Sequence, residues 1–398
     1  MARKKKTNIK KMLVSIGLSI ITFIVGAVSG FGIYAVANIE SDRLVFASSD
    51  LQIHFLELGN ANAGDCIYIK AGDTDILVDA GSKANSLDTI TNYVNKFVED
   101  GKLEYAIITH AHQDHYACYA TNSWETSLFS KFNIGTLITF AGSKNSGTTM
   151  YKNYEYRLGE ALSGSKTTKT DSHVTVSECV NGENAAQKVY EIADGIELEI
   201  LETSYTKSPD MSDENNNSVC FIINQGDNHY LFTGDLEEDG EESLVELNDL
   251  PKCNLFKAGH HGSKTSSSDK LLSTIAEQGK NELIVVATCV AGSEEYTKTI
   301  ANTFPTQAFI DRVAPYTDRV YVTSVAEYES VQIDSANKTD SGAKITSVEG
   351  KTFTSMNGNI VVYSDGGEVK VDFSNNDTKL KDTDWMFEWR IVPQAWQK

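Results

Sequence analysis

The run Thr109-His110-Ala111-His112-Gln113-Asp114-His115 constrains this chain more than any other stretch, because it gathers three imidazoles and a carboxylate within six residues. The preceding segment, Leu103-Glu104-Tyr105-Ala106-Ile107-Ile108, is short, apolar and β-branched, and reads as a buried strand. The four metal-capable side chains therefore lie on a loop just beyond the carboxyl end of a strand, where they can converge on one point. In an H-x-H-x-D-H spacing, His110 and His112 can face one cation while Asp114 and His115 turn to a neighbouring one. A polar loop whose histidines merely cap strand ends is the plainer alternative. It accounts for one histidine more readily than for three.

From Met12 to Asn38 there is no charged residue, and the run exceeds the roughly 20 apolar residues that cross a bilayer. Arg3, Lys4, Lys5, Lys6, Lys10 and Lys11 precede it. The positive-inside rule then keeps residues 1–11 in the cytoplasm and places everything after about Glu40 outside. A cleavable signal has an apolar stretch of about 7–15 residues, so the longer run here favours an uncleaved single-pass anchor over 12–38, followed by a linker over 39–50. Cleavage near Ala37, in Ala35-Val36-Ala37, is the alternative and would release a secreted protein. Both place the body of the chain outside the cytoplasm, with the lipid bilayer as its partner through the anchor. No protein partner is predicted. Without the basic head, 29 Lys and Arg face 55 Asp and Glu, a formal charge of −26. Such a surface repels polyanions except where metals or local basic groups intervene.

The rest of the chain alternates strand-like and helix-like patterns. Strand-like runs at 51–58, 66–71 and 75–81 lead into a helical spacing over Ser86–Asp100 and then the strand before the histidines. Further strand-like runs fall at 134–140, 196–203, 218–225, 229–235, 253–259 and 282–290. Helical patterns fall near Tyr151–Leu162, Leu236–Leu247 and Asp269–Glu277. Sheets interleaved with helices and ending in polar loops predict an α/β fold, an αββα sandwich over 51–373. The polar stretch 324–356 reads as an insertion or long hairpin. The tail 374–398 carries Trp385, Trp389 and Trp396, for which packing onto the domain outweighs an aromatic cage for a quaternary ammonium group. The six cysteines form no CxxC pair and none is assigned to a metal, although an oxidising location permits disulfides.

Two later motifs complete the first. Tyr230-Leu231-Phe232-Thr233-Gly234-Asp235 is a strand that delivers a carboxylate at its end, and Lys257-Ala258-Gly259-His260-His261-Gly262-Ser263 is a second strand end carrying two histidines. HxHxDH, TGD and HHGS in this order resemble the metallo-β-lactamase fold superfamily. More narrowly, IHFLELG, GDCIYI, DILVDAG, ITHAHQDH, NNNSVCFII, YLFTGDLE and FKAGHHGSKTSSSDKLL resemble the hydrolase domain attached to ComEC-type DNA-uptake competence proteins.

The resemblance implies two divalent cations, Zn²⁺ or Mn²⁺. His110 and His112 would hold the first, and Asp114, His115 and His260 the second, with Asp235 shared. His261 would then support the ligands from behind or act as an acid in the site, although the two adjacent histidines are exchangeable. Asp79 matches a buried carboxylate that orients a ligand histidine, and Asp65 matches a similar role; a plain turn role is the alternative for both. The chain lacks a further histidine between the HxHxDH loop and Asp235, since His173 and His229 have the wrong context, so the first cation site is expected to be weak. Asn215 and Ser218 are expected to fill that space or bind substrate. Thr303-Phe304-Pro305 stands where the family has a histidine before proline, and a single span leaves no transport channel. The expectation is a stand-alone anchored domain.

Two cations about 3.5–4 Å apart lower the pKa of water and steady the leaving oxygen of an in-line displacement. The implied activity is metal-dependent hydrolysis of a phosphodiester, DNA or a cell-wall polymer, with Asp114 orienting the attacking water and Ser263 and Lys264 contacting phosphate. A teichoic-acid phosphorylcholine esterase and a β-lactam hydrolase are the alternatives within the fold. A non-catalytic, metal-stabilised binding module is the alternative of another class.

Overall fold

A computed structural model describes residues 49–397. The expected basic head and membrane anchor, and all but the last two residues of the expected linker, lie outside the described residues. Among the described residues no helix is long and apolar enough to cross a membrane.

Strands β1 (Leu51–Phe55), β2 (Ile67–Ala71), β3 (Thr74–Val78), β4 (Lys102–Ile108), β5 (Asn133–Thr139) and β6 (Thr170–Thr175) build most of one sheet. Next come β7 (Val189–Ala193), β8 (Ile196–Leu201), β9 (Cys220–Gln225), β10 (Asn228–Phe232), β11 (Leu255–Lys257), β12 (Ile284–Ala291) and β13 (Val320–Glu327) of the other. The chain closes with β14 (Ser330–Ile333), β15 (Ile345–Glu349), β16 (Thr352–Ser355), β17 (Ile360–Ser364) and β18 (Lys370–Phe373). The first sheet runs β18-β17-β1-β2-β3-β4-β5-β6 and the second β16-β13-β12-β11-β10-β9-β8-β7, each with eight strands. The strands from β3 to β6 are parallel, as are those from β10 to β13. Parallel neighbours bring their carboxyl ends to one edge, so the loops that follow them meet there.

Side chains alternate across the second sheet as the two-residue repeat of a strand requires. Phe221, Ile223, Tyr230, Phe232, Ile284 and Val286 join Ile53, Phe55 and Ile107 of the first sheet in one core. Their sequence neighbours Ile222, Leu231, Val285 and Ala287 face the other way, under Leu244, Leu271, Phe309 and Met386 of the covering helices. Strands buried on both faces are largely apolar, as in β12, which is buried at all eight positions and apolar at all but Thr288.

Most predicted elements are present within a few residues of their expected bounds. The helix expected over Ser86–Asp100 is shorter, Leu87–Val94. Phe97 belongs to the turn that follows, packing on His54 and Tyr68 at 4.7 and 5.4 Å between ring centroids; its apolar character serves that contact. β6 and β7 went unpredicted because both are sheet edges, where half the residues face water and the sequence is polar. The 324–356 stretch is a long hairpin: β16 returns to pair with β13, and β14 and β15 form a separate two-stranded ribbon. The tryptophans of the tail are buried in the same core as the covering helices. Arg390 lies 4.5 Å over Trp385, Lys338 lies 4.3 Å over Trp389 and Trp396 Nε1 donates to the Thr317 carbonyl. All six cysteines are buried and unbridged.

Candidate metal centre

β4 ends at Ile108 and the motif begins at the next residue. Asp79, just past the end of the neighbouring parallel β3, accepts from Thr109 N and Thr109 Oγ1, both at 2.7 Å, and from His115 Nδ1 at 2.8 Å. Such a carboxylate fixes the tautomer and orientation of the ring it holds. It turns His115 Nε2 toward Asp235, whose Oδ2 lies 3.1 Å away. Asp79 adopts φ 57°, a left-handed conformation that residues with a Cβ hold only when their surroundings fix them. Gly81 beside it is obligatory, because a Cβ there would sit 1.6 Å from the Asp114 carbonyl oxygen. The LVDAG segment is thus pressed directly against the short helix Gln113–Tyr116 that bears Asp114 and His115.

The second sheet contributes Asp235 after β10 and the two histidines after β11. His260 and His261 both have left-handed backbone, φ 48° and 56°, and this decides which one points inward. His261 is fully buried; its Nδ1 donates to the Thr288 carbonyl at 2.9 Å, and its Nε2 stands 3.4 Å from Asp114 Oδ2 and 3.5 Å from Asp235 Oδ2. His260 stays at the rim, 3.8 Å from Asp235 Oδ2 and 3.6 Å from Glu237 Oε1. The four side chains with donor atoms within 4.8 Å of one another are therefore Asp114, His115, Asp235 and His261. Of the two adjacent histidines that the resemblance left exchangeable, His261 and not His260 stands in this group.

His110 Nε2 is 3.1 Å from His112 Nδ1 and 4.0 Å from the same Asp235 oxygen that His260 approaches. Ser218 lies 3.4 Å from His110 Nδ1 and also accepts from Asp235 N at 3.0 Å. Asn215 does not: its amide donates to Glu237 Oε1. Ser263 is buried against Thr265, and Lys264 lines an acidic cavity beside the centre with Asp210, Glu237 and Asp239. His173 and His229 bond Thr139 and Asn224.

Three buried groups escaped the sequence reading. Lys257, the last residue of β11, is 1% exposed and places its ammonium 2.5 Å from Asp65 Oδ2 and 3.7 Å from Asp235 Oδ1. Asp65 also accepts from Thr288 Oγ1 and lies 3.3 Å from His261 Nδ1. It therefore supports His261 from behind, as anticipated in kind, while Lys257 occupies its other face. A lysine inside an apolar three-residue strand was the available signal. Glu214 ties the histidine loop to its neighbours, accepting from Ala111 N, Ser143 Oγ and Lys144 N at 2.8–3.0 Å. Glu241 accepts from Ser267 N and Ser268 N at 2.6 and 2.7 Å and so pins the loop that follows the histidine pair. Burial pushes its carboxyl up to about 7.

Two buried atoms of the centre, Asp235 Oδ1 and His261 Nε2, have no hydrogen-bond partner, which in a native interior signals a missing partner. Two imidazoles and two carboxylates without thiolate form a donor set for Zn²⁺, Mn²⁺ or Fe²⁺, so the residues fit a divalent cation. Electrostatics agree. Burial disfavours charging His261, yet Asp235, Asp65 and Asp114 outweigh it and raise its pKa to about 10. Against the same cost of burial, Asp235 and Asp79 hold His115 well above the usual imidazole range.

Protons and a cation thus compete for the same nitrogens. A pKa raised in the folded state contributes stability that is fully present below the unfolded value of 6.5 and lost as pH rises through the folded value. In EDTA, urea midpoints should therefore fall between pH 6.5 and about 10. With metal bound, these nitrogens are no longer protonated and this decline should vanish. Equal profiles with and without metal would contradict the assignment.

Two facing mixed sheets, with ligands gathered at the strand ends between them, define the metallo-β-lactamase fold. Residues 59–119 match the family model of the Metallo-beta-lactamase superfamily. A short stretch of the chain is similar to competence proteins: it is 32% identical over 81 residues to ComE operon protein 3 of Bacillus subtilis, covering 19% of this chain and 10% of that one. Recombination protein 2 of Haemophilus influenzae is 39% identical over 62 residues, 16% of this chain and 8% of that one. Competence protein ComA of Neisseria gonorrhoeae is 36% identical over 86 residues, 21% and 12%. The matched part thus spans about a tenth of each relative's length. Among solved structures, the metallo-beta-lactamase fold protein YhfI from Bacillus subtilis is similar at 15% identity, covering 52% of this chain and 71% of that one with a TM-score of 0.31.

Proposed function

We propose that this chain is a metal-dependent phosphodiesterase. The observation that carries the reading is the convergence of Asp114, His115, Asp235 and His261 within 4.8 Å around two buried atoms without partners. These four residues would hold one cation. His110, His112 and His260 would hold a second beside Asp235, so that His260 would take the place of the histidine missing between the HxHxDH loop and Asp235. Bound cations would supply Lewis-acid polarisation of a phosphoryl oxygen and a water acidic enough to attack near neutral pH. The chain's own part is positioning. Asp79 aims His115, Thr288 aims His261, Ser218 steadies both His110 and the Asp235 backbone, and Glu214 fixes the loop between His110 and His112.

Relatives named for competence and recombination favour nucleic acid as substrate. Charge favours a short one. The cavity of about 490 Å³ that reaches the rim at Glu237 and Thr265 is lined by Asp210, Asp213, Glu238 and Asp239, and a long polyanion meets repulsion there. The uncharged run 12–38 after a basic head supports action outside the cytoplasmic membrane.

The test offers the purified chain, loaded with Zn²⁺ or Mn²⁺, a bis-nitrophenyl phosphodiester, single-stranded and plasmid DNA, choline-bearing wall polymer and a chromogenic cephalosporin. EDTA-sensitive cleavage of the simple diester and of short single strands is expected. Cleavage of the cephalosporin alone would refute the reading, and metal binding without any turnover would make the chain a binding module.

A further inference from the structure

Tyr296 lies in the segment after β12, outside every motif. Its hydroxyl donates to Asp114 Oδ2 at 2.7 Å. The residue is 52% exposed, so one face of the ring meets solvent while the hydroxyl reaches a buried carboxylate of the centre. Two neighbours fix this approach. The ring packs on Phe304 at 5.4 Å, and Phe304 in turn lies 5.5 and 5.7 Å from the rings of His260 and His261. Glu295 anchors the backbone across the mouth, accepting from Ala63 N at 3.1 Å and pairing with Lys83 at 3.0 Å. This aromatic wall offers a single polar hydrogen to the site, that of Tyr296.

We propose that the Tyr296 hydroxyl is a catalytic hydrogen-bond donor, which leaves Asp114 when that carboxylate turns to a cation and then donates to a non-bridging phosphoryl oxygen of the bound diester. The proposal rests on the phosphodiester reading. The exchange replaces one anionic acceptor with another, so the strong charge-assisted hydrogen bond is kept. The donor is already held in place, and preorganised donors facing developing negative charge are among the larger contributions to catalysis. No covalent bond forms or breaks at the tyrosine, and its proton stays on oxygen.

The test uses the whole chain loaded with Zn²⁺, inorganic phosphate as the probe, and Tyr296→Phe, which keeps the ring against Phe304. Calorimetry compares phosphate affinity at matched metal content. The variant is expected to retain its metal and to bind phosphate about tenfold more weakly, the usual worth of one hydrogen bond to a charged group. Equal phosphate affinity in the two proteins overturns the proposal. Weaker metal binding with unchanged phosphate affinity per loaded centre also overturns it, since that is the signature of a residue that only holds Asp114. Should the wild type hydrolyse diesters while phosphate affinity is equal in both, the tyrosine's role alone falls. Should the wild type neither bind phosphate nor cleave any diester, the phosphodiester reading falls and the proposal with it.

Discussion

Replacing Asp235 with asparagine is expected to strip the purified chain of both cations and to lower hydrolysis by about 10³-fold, equivalent to roughly 4 kcal/mol. The size follows from its position. Oδ2 of Asp235 lies 3.1 Å from His115, 3.5 Å from His261, 3.8 Å from His260 and 4.0 Å from His110, so every histidine proposed as a ligand except His112 is arranged around this one oxygen. Asparagine keeps the shape and removes the charge. Elemental analysis after gel filtration reads the metal, and turnover of a nitrophenyl diester reads the chemistry. Retention of two equivalents of metal would refute the shared role of Asp235.

His261→Ala and His260→Ala are expected to differ, and the difference tests the arrangement of the two sites. Removing His261 deletes a buried donor of the tighter group, so one equivalent of metal should be lost together with about 10²- to 10³-fold in kcat. Removing His260 takes a rim residue, whose side chain is 21% exposed. The other cation should weaken, with about a tenfold loss that excess metal recovers. The reverse order would restore the assignment that the motif resemblance implied. A control in EDTA separates ligand loss from folding. His261→Ala also removes a positive charge held among Asp65, Asp114 and Asp235, and so should lower the melting temperature of the metal-free chain as well.

Local patterns carried much of this molecule. Apolar runs of strand length found β1 to β5 and β8 to β12 because these strands are buried and their sequence repeats with their geometry. The HxHxDH run announced its chemistry because all its members follow one strand and need no distant partner to be recognised. Edge strands gave no such signal. Lys257, Glu214 and Tyr296 gave little, since each matters through a contact made across the fold: Lys257 with Asp65, Glu214 with Ala111, Tyr296 with Asp114. Nothing within a few residues of Tyr296 distinguishes it from an ordinary surface tyrosine.

By itself the sequence determined the fold class and a set of metal-capable side chains at strand ends, because hydrophobic period and ligand spacing are local properties of a chain. The tertiary structure alone decided which of two adjacent histidines enters the centre. The left-handed backbone at 260 and 261 and the Thr288 carbonyl on the next strand turn His261 inward and leave His260 at the rim. It also decided what stands behind and above the ligands, because the parallel strands of two sheets deliver residues far apart in sequence to one edge.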